Sequence, residues 1–98
     1  MSDHTFFISL LTIEMVIPYA QSLKDKRSEV RGLKDRIRDR FNVSVAEVGY
    51  QDKWQRAVLA VSLVGCDKRQ LESNADRISN LCTEFSNLEI VSIDQEWL

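Results

Sequence analysis

The sequence has one proline, three glycines and a single histidine among 98 residues. With so few chain breakers, collagen-like repeats, long linkers and a disordered chain are excluded, and the 44% apolar content is typical of a folded protein. At this length we expect one domain spanning residues 1–98, with residues 1–4 as a frayed tail.

The chain also lacks a long apolar run. No window approaches the roughly 18 apolar residues that cross a membrane. The segment after the first four residues is interrupted by Ser9, Thr12 and Glu14, unlike the apolar stretch of a secretory signal. We therefore expect a soluble, cytoplasmic protein with no membrane partner.

Groups suited to acid–base and nucleophilic catalysis are scarce. The only histidine, His4, lies in the predicted tail, so a Ser or Cys nucleophile has no usual base. Residues 17–21 contain no glycine for a phosphate-cradling loop of the acylphosphatase type. We predict that the protein is not an enzyme and uses no cofactor.

Metal and thiol chemistry is not indicated either. Cys66 and Cys82 form no CxxC pair and have no nearby histidine, so the sequence predicts core cysteines and no zinc or redox site. A hard-metal site built from Glu14, Glu47 and Asp94 is the alternative to scattered, solvated carboxylates. We predict no metal.

The apolar pattern predicts six elements in the order β-α-β-β-α-β. Two right-handed β-α-β units around a central hairpin predict an α+β, ferredoxin-like sandwich, in which a four-stranded antiparallel sheet carries both helices on one face. The helices are capped by Ser22 and Asp67 and point apolar side chains at the sheet. The strands are predicted at residues 5–17, 43–50, 56–64 and 88–94. The inward residues are Leu23, Val30, Leu33, Ile37 and Phe41 on the first helix, and Leu71, Ala75, Ile78, Leu81, Cys82 and Phe85 on the second.

Strand alternation also predicts the open face of the sheet. It has no aromatic side chain, whereas an RNA-binding domain of the RRM type stacks bases on aromatics at this place. An exposed apolar sheet is usually an interface, so the pattern favours self-association through this face. The predicted open-face residues are Leu10, Thr12, Glu14, Val16, Val58, Ala60, Ser62 and Val64.

Positive charge is concentrated in residues 22–41. This segment holds eight basic and four acidic residues, which leaves five basic and eleven acidic residues elsewhere. On a helix, part of this charge forms a stripe about 21 Å long beside the apolar face. Like charges at this spacing are mutually destabilising, and an anionic ligand would remove that cost. The stripe, here called the basic row, consists of Lys24, Arg27, Arg31, Lys34 and Arg38.

The basic row is either a solvated helix face or a surface for an RNA backbone or an acidic protein. Gly32, on the exposed side, would allow a ligand to approach closely. If all five cations of the row bound phosphates, the log of the affinity would fall with the log of the salt concentration with a slope of about −3.5 for a single strand.

Aromatic and polar side chains cluster at the predicted hairpin between the second and third strands. The composition is suited to stacking on bases or to anchoring a protein partner. Alternatively, Trp54 folds back over a helix end and covers the core. The candidate contact residues are Tyr50, Asp52, Lys53, Trp54, Gln55 and Arg56.

The sequence resembles the YlxP-like family, a bacterial domain of unknown function, over essentially the whole chain. The resemblance is carried by Pro18 and Gln21–Arg27, by Arg40–Val48, and by Gln51–Asp52 with Trp54–Ala57. It implies a small ferredoxin-like protein without an established activity. Family members are often encoded beside genes for transcription, translation and ribosome maturation, which implies RNA or a ribosomal particle as the partner.

The resemblance assigns no catalytic residue, but it adds Lys26 to the candidate contact residues. Lys24, Lys26 and Arg27 are the family-like cations, whereas Arg31, Lys34 and Arg38 lie outside the matching stretches. The family-like positions are Ser22, Lys24, Lys26, Arg27, Phe41, Asn42, Glu47, Asp52, Trp54 and Gln55.

Overall fold

The computed structural model describes residues 4–98, so the first three residues of the predicted tail lie outside it. Within this range no helix is both long and apolar enough to cross a membrane. The elements follow the predicted order and are β1 (Phe7–Val16), α1 (Leu23–Arg40), β2 (Val43–Gly49), β3 (Arg56–Gly65), α2 (Lys68–Glu84) and β4 (Glu89–Trp97).

The four strands form one antiparallel sheet in the order β2-β3-β1-β4. The prediction of a ferredoxin-like α+β fold is confirmed. The largest shift of a predicted boundary is at the end of β4, which lies at Trp97 and not at Asp94. The strand is longer because it remains paired with β1 as far as the pair Ser9 and Trp97.

Both helices begin at the predicted caps. Ser22 Oγ accepts a hydrogen bond from the Asp25 amide at 3.0 Å, and the Asp25 carboxylate accepts one from the Gln21 amide at 3.0 Å. Asp67 Oδ1 accepts from the amides of the second and third residues of α2 at 3.0 and 3.3 Å. These bonds satisfy amides that have no partner within the helix, and so they fix where each helix starts.

The core lies between the sheet and the helices, because alternate residues of β1 and β3 are buried together with one face of each helix. On α2 the predicted inward residues are buried, and Phe85 packs against the core at the C-cap. On α1, Val30, Leu33 and Ile37 are buried as predicted, but Leu23 is only half-buried. The first buried residue of that helix is Lys26.

A bulge in β2 directs the chain into the hairpin. Glu47 pairs with Leu59 and Gly49 pairs with Val58, so the register shifts between them. A Cβ at Gly49 would lie 3.0 Å from Val58 Cγ2, which is why a residue without a side chain is required there. The next residue, Tyr50, has a φ of 56°, a left-handed conformation that is unusual for a bulky residue.

Candidate functional site

A buried cation ties α1 to the hairpin between β2 and β3. Lys26 has no exposed surface, and its Nζ lies 3.1 Å from Glu47 Oε2. The same ammonium donates to the carbonyl oxygen of Tyr50 at 2.7 Å and to those of Gln51 and Arg56 at 3.3 Å. A buried lysine is tolerated when its charge is paired and its protons are hydrogen-bonded, and both conditions hold here.

This burial corrects the prediction that Lys26 contacts a ligand, because an ammonium inside the domain cannot reach an external phosphate. The helical spacing contained the signal. At 100° per residue, position 26 falls between Leu33 and Ile37, at the centre of the inward face. Glu47 likewise follows Val45 by two positions on the inward side of β2. Two opposite charges on facing apolar surfaces indicate a buried pair.

A second anchor holds the other side of the hairpin. Gln55 Nε2 donates to the carbonyl oxygens of Pro18 at 3.2 Å and Ala20 at 3.0 Å, and the Ile17 amide donates to the Gln55 carbonyl at 2.9 Å. The side-chain amide of Gln55 is therefore used to join the hairpin to the loop after β1. Tyr19 lies between the two carbonyls and is 84% exposed.

The aromatic side chains of the hairpin point to solvent. Trp54 is 54% exposed and Tyr50 is 42% exposed, so the alternative in which Trp54 covers the core is wrong. The Arg56 guanidinium stacks 4.9 Å from the centre of the Tyr50 ring and forms an ion pair with Glu14. The six predicted hairpin residues together line an open cavity of about 490 Å³, here called the hairpin pocket: Tyr50, Asp52, Lys53, Trp54, Gln55 and Arg56.

The basic row lies beside edge strand β2. Two of its five cations, Arg38 and Lys34, are less available to a ligand than the sequence predicts. Arg38 Nη2 donates to the Val45 carbonyl at 2.9 Å, and Arg38 Nη1 lies 3.9 Å from Asp35. Lys34 is half-buried. A neighbouring β2 carbonyl, that of Glu47, accepts a hydrogen bond from Gln51 Nε2 at 3.0 Å.

The other three cations of the row, Lys24, Arg27 and Arg31, are exposed and form no ion pair or hydrogen bond with any described residue. They line an open groove of about 500 Å³ on the outer side of α1. Gly32 also lines this groove, but a Cβ there would lie 3.3 Å from Phe85 Cζ. The missing side chain therefore lets the end of α2 pack against α1.

The open face of the sheet has the residues that strand alternation predicts. Cross-strand neighbours on this face include Leu10 with Ser62 and Thr12 with Ala60. They are half-buried by their neighbours, and no described element covers them. These central side chains carry no charge.

The alternative metal site does not form. Glu47 faces the helices, whereas Glu14 and Asp94 lie on the open face, so the three carboxylates do not converge. Among residues 4–98 no group of three or more His, Cys, Asp or Glu side chains could hold a metal ion. The prediction of two core cysteines is wrong for Cys66, which is exposed, and right for Cys82, whose burial raises the pKa of its thiol to about 11.

The family-like positions divide into two sets. The first set maintains the fold, by capping α1, by filling the core, by the buried ion pair and by the second hairpin anchor: Ser22, Phe41, Lys26, Glu47 and Gln55. The second set is exposed and has no such contact: Lys24, Arg27, Asn42, Asp52 and Trp54. The second set lies on the basic row, at the end of α1 and in the hairpin pocket.

A family described as "Protein of unknown function (DUF503)" matches residues 8–95. The "Uncharacterized protein YlxP" of Bacillus subtilis (strain 168) is 33% identical over 90 residues, which cover 92% of this chain and 98% of that protein. The de novo designed protein Foldit4 has a similar structure, with a TM-score of 0.57 and 15% identity over 91% of this chain and 96% of that chain, which supports the fold alone. The chain belongs to the DUF503 family, and the resemblance to the YlxP-like family is confirmed.

Proposed function

We propose that the chain is a non-enzymatic RNA-binding protein that contacts phosphates through the exposed part of the basic row. The observation that carries this proposal is the groove along α1, where Lys24, Arg27 and Arg31 have no partner among residues 4–98. Three unpaired cations on consecutive turns of one helix repel each other, and a polyanion relieves that repulsion.

Phosphate contact is favoured over base recognition at this surface. Lys and Arg side chains on a helix reach phosphate oxygens without reading sequence. The open sheet face, which is the base-stacking surface in proteins of the RRM type, has no aromatic side chain here. The YlxP-like family implies a ribosomal particle as the source of the RNA, through the genes that often lie beside its members.

The experiment is a titration of a fluorescently labelled single-stranded RNA at several salt concentrations. Three phosphate contacts predict a slope of about −2.1 in a plot of log affinity against log salt, smaller in magnitude than the slope of about −3.5 for the full basic row. Arg27→Glu and Arg31→Glu should each weaken binding. Arg69→Glu, at an exposed position on α2, makes the same change in net charge and is the control.

Association with ribosomal particles is tested separately on sucrose gradients. We expect co-migration with the particles at low salt, and loss of co-migration at high salt or in the double variant Lys24→Glu/Arg27→Glu. An RNA affinity that does not change with salt concentration in the titration would contradict phosphate contact. Migration only as a small free species at low salt would contradict the ribosomal partner.

A homodimer formed through the open sheet face is the second candidate. The observation that favours it is an uncovered face whose central side chains are uncharged, which suits close packing of two sheets. Sedimentation equilibrium should then show a dimer that Ala60→Arg dissociates, while Ser73→Arg on the exposed side of α2 does not. A monomer of the unmodified protein at micromolar concentration would contradict this candidate.

A further inference from the structure

We infer that the hairpin pocket holds an unpaired base of single-stranded RNA whose phosphates lie along the basic row. This inference rests on the proposed function and adds to it the class of nucleic acid. Its basis is the position of two exposed aromatic side chains, Trp54 and Tyr50, beside cations on a rigidly held loop.

The loop is fixed before any ligand arrives. The Lys26 ammonium binds the carbonyls at both ends of the hairpin, those of Tyr50 and Arg56, and Gln55 ties the loop to the chain after β1. The turn itself is closed by a hydrogen bond of 3.0 Å from the Lys53 amide to the Tyr50 carbonyl. A surface that is already ordered loses little conformational entropy on binding, so exposed aromatics there are available for contact at low cost.

The side chains of the pocket suit a base. One side of the Tyr50 ring is already stacked with the Arg56 guanidinium, and Trp54 has more than half of its surface free. Stacking on an aromatic side chain contributes about 1–3 kcal/mol per base and requires only a flat π face. Asp52 and Lys53 are exposed beside the ring and offer an acceptor and a donor for the edge of the base.

The hairpin pocket and the start of the basic row lie at the same end of the domain, because the Lys26 ammonium joins the first turn of α1 to the hairpin. Lys24 and Arg27, on either side of Lys26 in the sequence, begin the row. A single strand can therefore place its phosphates on the helix and one base in the pocket. In a duplex the bases are stacked and paired, so the pocket selects single-stranded RNA.

The test uses Trp54 as its own reporter. The chain has two tryptophans, so Trp97→Phe leaves Trp54 as the only one. This variant is titrated with a ten-nucleotide oligoadenylate, with an abasic oligomer of the same length and charge, and with a duplex. We expect the oligoadenylate to quench Trp54 fluorescence, and the abasic oligomer and the duplex to bind weakly without quenching.

Substitution then separates stacking from charge. Trp54→Ala, at a solvent-exposed position, should weaken oligoadenylate binding about 5- to 150-fold, the range that corresponds to the loss of one stacked base. The salt slope should not change, because no cation is removed. Phe6→Ala removes an exposed aromatic at the opposite end of β1 and should have no effect.

Each contrary result has a distinct meaning. Equal binding of the oligoadenylate and the abasic oligomer, with no effect of Trp54→Ala, would overturn the base pocket while salt-dependent binding continued to support the proposed function. Absence of salt-dependent binding by every oligomer would overturn both. A change of oligomeric state in Trp54→Ala would assign the hairpin to a protein contact and overturn the base pocket.

Discussion

Glu47 Oε2 is buried 3.1 Å from the Lys26 ammonium, in an ion pair, and no described group donates a well-aligned hydrogen bond to that oxygen. The ion pair and three carbonyl oxygens therefore compensate the Lys26 ammonium for its lost hydration, while the Glu47 side chain stays 18% exposed. The carboxylate lies on β2 and the ammonium on α1, so the pair connects the two layers of the fold at the base of the hairpin.

Removal of the ammonium should be costly. Lys26→Met leaves the Glu47 carboxylate unpaired and removes one hydrogen bond from each of three carbonyls, so we expect the free energy of unfolding in urea to fall by about 3–5 kcal/mol. Lys24→Met, two positions earlier on the exposed surface, should change it by no more than about 0.5 kcal/mol. Adding Glu47→Leu to Lys26→Met should restore part of the loss, and equal effects of Lys24→Met and Lys26→Met would contradict the role of the ion pair.

The bulge before the hairpin should not tolerate a side chain. Gly49→Ala places a methyl group 3.0 Å from Val58 Cγ2, and we expect this overpacking to lower the free energy of unfolding by about 1–3 kcal/mol. Chemical denaturation of the single variant and of Gly49→Ala/Val58→Ala provides the measurement. If crowding is the cause, the Gly49→Ala change costs less when Val58 is already shortened.

Arg38 and Arg31 belong to the same row but should behave differently. Arg38→Gln removes the charge that bonds the Val45 carbonyl, so we expect a lower free energy of unfolding and an unchanged slope of RNA affinity against salt. Arg31→Gln should show the opposite behaviour, with unchanged stability and a slope about 0.7 smaller in magnitude. Identical effects of the two variants on the salt slope would contradict this division of the row.

The two cysteines should differ in reactivity. Cys66 is exposed, so a thiol reagent should modify one cysteine per chain in the native protein and the second only after unfolding. The pKa of the buried Cys82 thiol is raised to about 11, and burial is the cause. Modification of both thiols under native conditions below pH 9 would contradict its burial.

The raised pKa also predicts how stability depends on pH. The folded state keeps the Cys82 proton at a pH where the unfolded state releases it. The contribution of this thiol to the free energy of unfolding is therefore present below the unfolded pKa of 9.0 and is lost as the pH rises to about 11. Urea denaturation across this pH range should show the free energy of unfolding falling as the pH rises, and the fall should be smaller in Cys82→Ala.

Much of the fold follows from local signals in the sequence. Alternation in β1 and β3, the spacing on both helices and the two capping residues Ser22 and Asp67 are short-range patterns, and the structure has them as predicted. The end of β4 does not follow from such patterns, because Gln95 and Glu96 interrupt the apolar alternation before Trp97. They are held in the strand by pairing with β1, which is distant in sequence.

The candidate site was only partly predictable, since charge in a sequence does not reveal what a side chain contacts. The helical spacing places Lys26 on the inward face, and the facing position of Glu47 shows why a charge can be buried there. Arg38 can donate a hydrogen bond to the Val45 carbonyl only because α1 lies beside β2, which the sequence does not show. The exposure of Trp54 depends in the same way on the two anchors of the hairpin.

The hydrogen bonds from Arg38 and Gln51 to carbonyls of β2 also bear on how the sheet can extend. An edge strand whose backbone acceptors are occupied by its own protein is a poor template for another strand. At the opposite edge, the exposed carboxylates of Asp94 and Glu96 on β4 would repel a second copy. Both edges are thereby protected from pairing with further copies, β2 by its bonded carbonyls and β4 by its negative charge.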